Sequence, residues 1–347
     1  MENQLKSLIY STQLPAVTGK KSGWPWNPTI SPISSKMQNE NDWPLISITI
    51  PSLNQSSFLE EAIRSVLLQG YPRFELFVMD GGSTDGSTEI IKKYSPWITK
   101  WRSEPDRGQS HAINKGWLLS KGDLIAYLPS DDVYQPNAFI KAAVGWSYQS
   151  DVILVTGSIH TIDADSNILQ TRHSKIRPEP PVDLSTVDIS QWYIAQQSSF
   201  FVREYLDKVG RWLREDLHYV MDRELMYRLC PEGRIIILEE PLASDRTHSN
   251  AKRQKDTIRM YREDSLALRY INFGDQEDKL KRERVAKSRL AQGYWNTSEH
   301  ISNPLKKGYY RLISILNYPR YIKRFSLVKN LLPFGRKFRD ITRKNWK

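Results

Sequence analysis

The strongest constraint on the fold is an alternation of strand-like and helix-like patterns that runs for about 100 residues from Leu45. "LISITI" alternates apolar and small polar residues and ends at Pro51, as a strand feeding a loop does. "SSFLEEAIRSVLLQG" follows, with Phe58, Leu59, Ala62, Ile63, Val66 and Leu67 on one helical face. Ser56 or Ser57 is placed to cap that helix, Glu60 or Glu61 supplies the acid of the first turn, and Gly70 stops it. The strand "FELFVMD", the helix "TEIIKKY", the strand "ITKWRSE", the helix "SHAINKGWLLS", the strand "DLIAYL" and a helix beginning at Pro136 continue the pattern. Strands alternating with helices predict an α/β fold, a mainly parallel sheet covered on both faces.

In such a sheet ligands bind beyond the carboxyl ends of the strands. Four loops there carry polar or charged residues: Asn54, Asp80, Asp106 with Arg107, and the doubled Asp131 and Asp132. Four in a row on one edge form a candidate cleft. The doubled acid reads either as a turn closed by Pro136 or as a cation site. The loop "GGSTDGST" spaces Gly81 and Gly86 as a phosphate loop does, but the next residue is Ser87 rather than lysine. The three-glycine dinucleotide pattern is absent as well, so both common nucleotide loops are disfavoured. Ser83 and Ser87 read as caps of the following helix, which leaves Asp80 free to accept hydrogen bonds from a base or ribose.

Four stretches in this order, "ISITIPSLNQSSFLEEAIRSVLLQGYP", "FVMDGGSTDGSTEII", "SEPDRGQSHAINKG" and "GDLIAYLPSDD", resemble the family 2 glycosyltransferases of GT-A fold. The resemblance covers roughly residues 45–250. It implies an inverting enzyme of the cell-envelope polysaccharide type that uses a nucleotide sugar, UDP- or GDP-linked. It also implies roles residue by residue. Pro51, Asn54, Asp80, Arg107, Asn114 and Asp131 would bind the donor, with Asp80 at the base. Asp131 and Asp132 match the DXD-type motif, and with His248 of "SDRTHSNAK" they would hold a divalent cation, manganese or magnesium. A hard cation on oxygen ligands suits a departing diphosphate, and it explains why both residues of the turn are acidic.

The acceptor hydroxyl needs a general base, and the resemblance places it in "LHYVMDRELMYRL" as Asp222, where Met221 departs from the family's glutamate. Asp222 also reads as a helix cap, and Asp216 is the second choice of base. Gln196 or Gln197 is expected to line the cleft, Phe200 and Phe201 to be core, and Trp192 and Trp212 to pack or to stack on sugar. The Gln-x-x-Arg-Trp motif of processive synthases is missing before Trp212, because Lys208 and Val209 precede Gly210 and Arg211. Single transfers to a glycan or lipid-linked acceptor are therefore expected. The alternative is a non-catalytic module that binds a sugar nucleotide.

The remaining readings concern the ends. Residues 1–43, rich in Ser, Pro, Asn and Lys, read as a poorly ordered arm before a transferase domain at 44–250. Residues 251–302 read as a helical extension and 303–347 as a basic amphipathic tail. The net charge is +11, and that tail alone holds 13 Lys and Arg against one acid, Asp340, a balance of +12 that leaves residues 1–302 at about −1. Apolar and aromatic residues interleave with those charges. This is the pattern of a segment on an anionic membrane surface, or of a solvated basic helix. No nucleic-acid recognition motif accompanies it. Cys230 is the single cysteine, which excludes a disulfide framework and suits a reducing compartment. With no apolar leader in "MENQLKSLIYSTQ" and no span of membrane-crossing length, the expected location is cytoplasmic, peripheral at the inner membrane face.

Overall fold

In the computed structural model, residues 9–17, 21–28, 33–34, 36–38, 40–176, 192–248, 257–270 and 276–318 are described. The chain divides into two compact units, residues 1–251 and 252–347.

The first unit grows from β1 (Ile46–Ser52), buried along its whole length. β1 pairs in parallel with β2 (Phe74–Asp80) on one side and with β4 (Leu124–Tyr127) on the other, and β3 (Lys100–Ser103) extends the sheet beyond β2. The alternation in "ISITIPS" matches two unlike faces. Ile46, Ile48 and Ile50 enter the main core. The opposite face must be small, because α3 (Gln109–Leu119) lies against it: a Cβ on Gly116 would stand 2.3 Å from Thr49 Oγ1. Ser47 on the same face accepts from Gly122 N–H at 2.8 Å and donates to Glu75 at 2.7 Å.

β1 runs one residue past Pro51, where the sequence predicted its end. Thr49 accepts from Leu128 N–H on the β4 side, and β4 pairs no further. Pro51 faces that same side beyond the end of β4, so its missing N–H removes no ladder bond.

Among the described residues the strand order is β3-β2-β1-β4-β8-β6-β9-β5, with β7 (Ile168–Arg172) paired to β6 off this path. β8 (Phe200–Val202) runs antiparallel between β4 and β6 (Val152–Ile162). β9 (Arg234–Arg246) runs parallel to β6, and β5 (Val133–Tyr134) pairs antiparallel with β9. This last pairing sets Val133 opposite Ser244, so the turn after β4 meets the carboxyl end of β9. Phe200 and Phe201 are core, as expected.

Helix α1 (Ser56–Leu67) buries Leu59, Ala62, Ile63, Val66 and Leu67. Its first amides are not capped by its own serines. Ser87 Oγ accepts from Gln55 N–H at 3.1 Å and Asp85 from Ser56 N–H at 2.8 Å. Ser87 therefore caps nothing on α2 (Ser87–Tyr94), whose N-cap is Gly86 with a φ of 98°. The helix expected from Pro136 is α4 (Ala138–Trp146).

Arg64, on the side of α1 away from its apolar stripe, is 1% exposed and ties residues of the N-terminal arm to the first unit. It donates to the carbonyls of Pro15 (3.3 Å), Pro25 (3.1 Å) and Trp26 (2.7 Å) and to the Tyr94 hydroxyl (3.0 Å). Ile9, Leu14, Met37 and Trp43 join the core. Polar composition concealed an anchoring role that rests on a few large apolar residues and one buried cation.

The second unit comprises α7 (Thr257–Tyr270), α8 (Gln276–Glu299) and α9 (Pro304–Asn317) among the described residues. Its interior holds Ala267, Leu268, Ala286, Ala291, Tyr294 and Trp295, and a buried Arg289–Asp264 pair at 2.7 Å. The first third of the basic tail is thus helix α9, while residues 319–347 lie outside the described residues. No helix among the described residues is long and apolar enough to cross a membrane.

Candidate active site

Two acidic positions lie at the carboxyl edge of the sheet, and they are held in opposite ways. Asp80 ends β2 and is 0% exposed. It accepts from Gly82 N–H (3.2 Å), Ser83 N–H (2.9 Å), Ser83 Oγ (2.5 Å) and Ser103 Oγ (2.6 Å). Four neutral donors occupy it, so Asp80 is not free as the sequence reading had it. It fixes the glycine-rich loop. Asn54, with a φ of 52°, ties the end of β1 to the same loop: its Oδ1 accepts from Thr84 N–H at 2.9 Å, and its N–H donates to Ser83 Oγ at 2.7 Å.

Asp131 and Asp132 lie in the turn that links β4 to β5, with Asp132 N–H bonded to Pro129 O at 3.0 Å. The turn is built on Arg246, which the sequence reading passed over. Its backbone N–H reaches Asp132 Oδ1 at 2.8 Å and its Nε reaches the Asp131 carbonyl at 2.8 Å. The rest of the guanidinium serves the Asp163 and Ala164 carbonyls, Ser166 Oγ and Glu61 Oε2, the last at 2.9 Å. This side chain is 0% exposed, so Glu61 of α1 is its counter-ion and Phe58 lies under its cation at 4.8 Å.

The two acids then differ. Asp132 is 3% exposed, and burial holds its carboxyl well above the usual carboxylate range, with Asp131 and Asp245 adding to the rise. Asp131 is partly exposed, its Oδ2 meets His248 Nε2 at 3.1 Å, and the His248 ring packs on Phe58 with centroids 5.0 Å apart. The structure thus brings Asp131 together with a histidine 117 positions away.

For a divalent cation, the three-ligand set of Asp131, Asp132 and His248 is not assembled. Among the described residues no group of three or more His, Cys, Asp or Glu side chains is placed to hold a metal. Asp132 is the one that fails, because it is buried and bonded to Arg246 N–H. Asp131 and His248 do fit as the protein's share: an anionic oxygen and an imidazole nitrogen, partly buried, converging on one point.

Asp222 lies in the first turn of α6 (Met221–Leu229). The N-cap is Val220, and Asp222 Oδ1 accepts from Arg223 N–H at 2.8 Å, so Asp222 is a first-turn acid rather than the cap. Burial pushes the Tyr127 phenol well above its usual range, and the carboxylates of Asp222 and Asp132 both add to the rise. Asp222 and Asp132 thus both lie within electrostatic reach of Tyr127, the last residue of β4. Gln196 bonds the Tyr127 carbonyl at 3.0 Å and Gln197 approaches Asp245 at 3.4 Å, so both line this end of the sheet. Asp216 is exposed and paired with Arg214 at 2.6 Å, a poorer base.

Arg107 and Asn114 are spent on a loop the sequence did not flag. Arg107 Nε bonds Glu215 at 2.7 Å, and Asn114 clamps Leu213, donating to its carbonyl at 2.8 Å and accepting from its N–H at 2.7 Å. Arg107, then Asn114, hold the Glu215 carboxyl below its usual range. Trp212, beside this clamp, is exposed rather than packed.

Residues 47–210 match the family model described as Glycosyl transferase family 2. Over this stretch, just under half of the chain, the sequence is similar to glycosyl transferase family 2. Curated relatives include an uncharacterized glycosyltransferase of Nostoc sp., 29% identical over 210 residues that cover 58% of this chain and 65% of the relative. An uncharacterized glycosyltransferase of Rickettsia prowazekii is 29% identical over 213 residues, covering 59% of this chain and 65% of the relative. The matched stretch spans between 35% and 65% of the length of the first such relatives.

Among solved structures, S. aureus TarS 1–349 in complex with UDP-GlcNAc superposes with a TM-score of 0.57 at 15% identity, over 82% of this chain and 92% of that one. The mannosyltransferase of Pyrobaculum calidifontis in complex with GDP-Man and Mn2+ gives 0.52 at 16%, over 82% and 83%. At these identities the likeness is one of fold, and the GT-A fold expected from the family 2 motifs is the one observed.

Proposed function

We propose that this protein transfers a sugar from a UDP- or GDP-linked donor to a hydroxyl of a glycan or lipid-linked acceptor. The observation that carries the reading is the Asp131–His248 contact beyond the carboxyl end of β4, with Asp222 within electrostatic reach of Tyr127, the last residue of that strand. The structural neighbours, which hold UDP-GlcNAc and GDP-Man with Mn2+, support the donor class and the use of a cation.

The residues divide the work. Asp222 takes the proton of the acceptor hydroxyl as its oxygen attacks the anomeric carbon. The bond from that carbon to the phosphate oxygen breaks, and its electron pair leaves with the diphosphate. Attack from the face opposite the leaving group inverts the anomeric centre. Asp131 and His248 would hold a divalent cation, which offsets the charge that the diphosphate gains. Asp80 and Asn54 shape the loop beside the base, and Arg107 with Asn114 fixes the 213–215 segment that borders the donor. One sugar is added per encounter, in the cytoplasm, on an acceptor of cell-envelope polysaccharide type.

The test is release of nucleoside diphosphate from a panel of nucleotide sugars, with manganese, magnesium or chelator. Metal-dependent release from one donor, lost in Asp131→Ala and in Asp222→Asn, is the expected result. Release that survives chelation or both substitutions overturns these roles. No release with any acceptor, and no metal-dependent nucleotide binding by calorimetry, leaves a non-catalytic sugar-nucleotide module instead.

A further inference from the structure

Helix α9 is built inside out. It starts cleanly: Pro304 occupies its first turn and Asn303 Oδ1 caps it by accepting from Lys306 N–H at 3.0 Å. At 100° per residue, Leu305, Tyr309, Leu312 and Leu316 fall within about 60° of its circumference. This stripe faces outward, with exposures of 85%, 61%, 41% and 66%. The opposite face, turned to the rest of its unit, is the more polar one. Ser314 is buried and donates to Ala291 O at 2.7 Å, and Arg311 covers the Trp295 ring at 5.1 Å and reaches Ser298 Oγ at 3.3 Å.

We infer that α9 is a docking surface for an anionic lipid bilayer, with Leu305, Tyr309, Leu312 and Leu316 as the inserting edge. An outward stripe of three leucines and a tyrosine calls for an apolar cover. The charge around it says which one. Exposed Lys306 lies about 60° round the helix from the edge of the stripe, and residues 303–347 carry +12 while the other 302 residues sum to about −1. A second copy of the chain would bring two such tails together against their mutual repulsion. Nucleic acid would use the charge but not the leucines. A bilayer with anionic headgroups uses both, with leucines below the headgroups, tyrosine at their level and lysines against the phosphates. The surface lies outside the transferase site, and the inference stands whether or not the transfer reaction does.

The test is flotation of the full chain with vesicles of phosphatidylcholine alone or with about one third phosphatidylglycerol. Binding to the anionic vesicles at least about tenfold stronger than to the neutral ones, and lost in about 1 M salt, is the expected result. Leu312→Glu with Leu316→Glu should lower that binding at least about fivefold while the basic tail stays intact. Because Cys230 is the single cysteine and is buried, Leu312→Cys offers one site for an environment-sensitive fluorophore. Its emission should shift to the blue on anionic vesicles. No binding, equal binding to both vesicles, binding unchanged by the paired substitution, or an unshifted label each overturns the inference. So does a concentration-dependent dimer that Leu312→Glu abolishes, which would assign the stripe to a second copy.

Discussion

Asp80 and the Asp131–Asp132 turn occupy equivalent places, each at the carboxyl end of a parallel strand, yet they end in opposite chemical states. Asp80 is surrounded by hydroxyls and amides of its own neighbourhood and has no capacity left. The doubled acid is supported from behind by Arg246, but that cation gives its side chain to carbonyls, Ser166 and Glu61 and offers the acids only one backbone N–H. Asp131 is left facing His248, a partner that a cation can displace. A carboxylate fully served by neutral donors is a structural part, whereas one buttressed by a cation pointed elsewhere remains available for chemistry.

That contrast can be broken. Asp131→Ala should cut turnover about a thousandfold, the several kcal/mol attributed to charge stabilisation at a departing phosphate, with little change in Tm. A large fall in Tm would make Asp131 structural like Asp80. Arg246→Met should lower the unfolding free energy by about 3–5 kcal/mol, because Glu61 loses its buried partner and several carbonyls lose their donor; denaturant unfolding reads this. Asp80→Ala leaves four partly buried donors without their acceptor and should cost about 1–3 kcal/mol, with a raised donor KM as the glycine loop loosens. Lost turnover at unchanged stability would move Asp80 to the chemical side of the comparison. Smallest is Glu215→Ala, which frees Arg107 and should raise donor KM a few-fold while Tm stays fixed, as for an exposed pair.

The sheet was legible because β1, β2, β4 and the helices between them carry their periodicity in short windows. Asp131, His248 and Asp222 were singled out through motif order, and the structure brings Asp131 and His248 into contact. What escaped were residues defined by distant contacts. Arg246 meets Glu61 across 185 positions and Arg107 meets Glu215 across 108, and no local pattern encodes either. Asp132 was assigned to the metal because a pair of acids in sequence says nothing about which one is turned inward. The contacts of the N-terminal arm escaped as well, because Arg64 lies away from the apolar stripe of α1, where an arginine reads as solvated, and its buried guanidinium finds its acceptors at Pro15, Pro25 and Trp26 far along the chain.

The pairing of β5 with β9 has a consequence in time. The turn and the arginine that supports it are 114 positions apart, so at about 5–20 residues per second the ribosome delivers Asp132 about 6–23 s before Arg246. Strands β1 to β4 and the helices between them are complete well before then. For that interval the nascent domain holds a sheet whose two acids repel each other in open water. The acidic turn is the last part of the domain to be finished, and a chain truncated within β9 would keep most of the scaffold with Asp131 and Asp222 but lose Arg246 and His248.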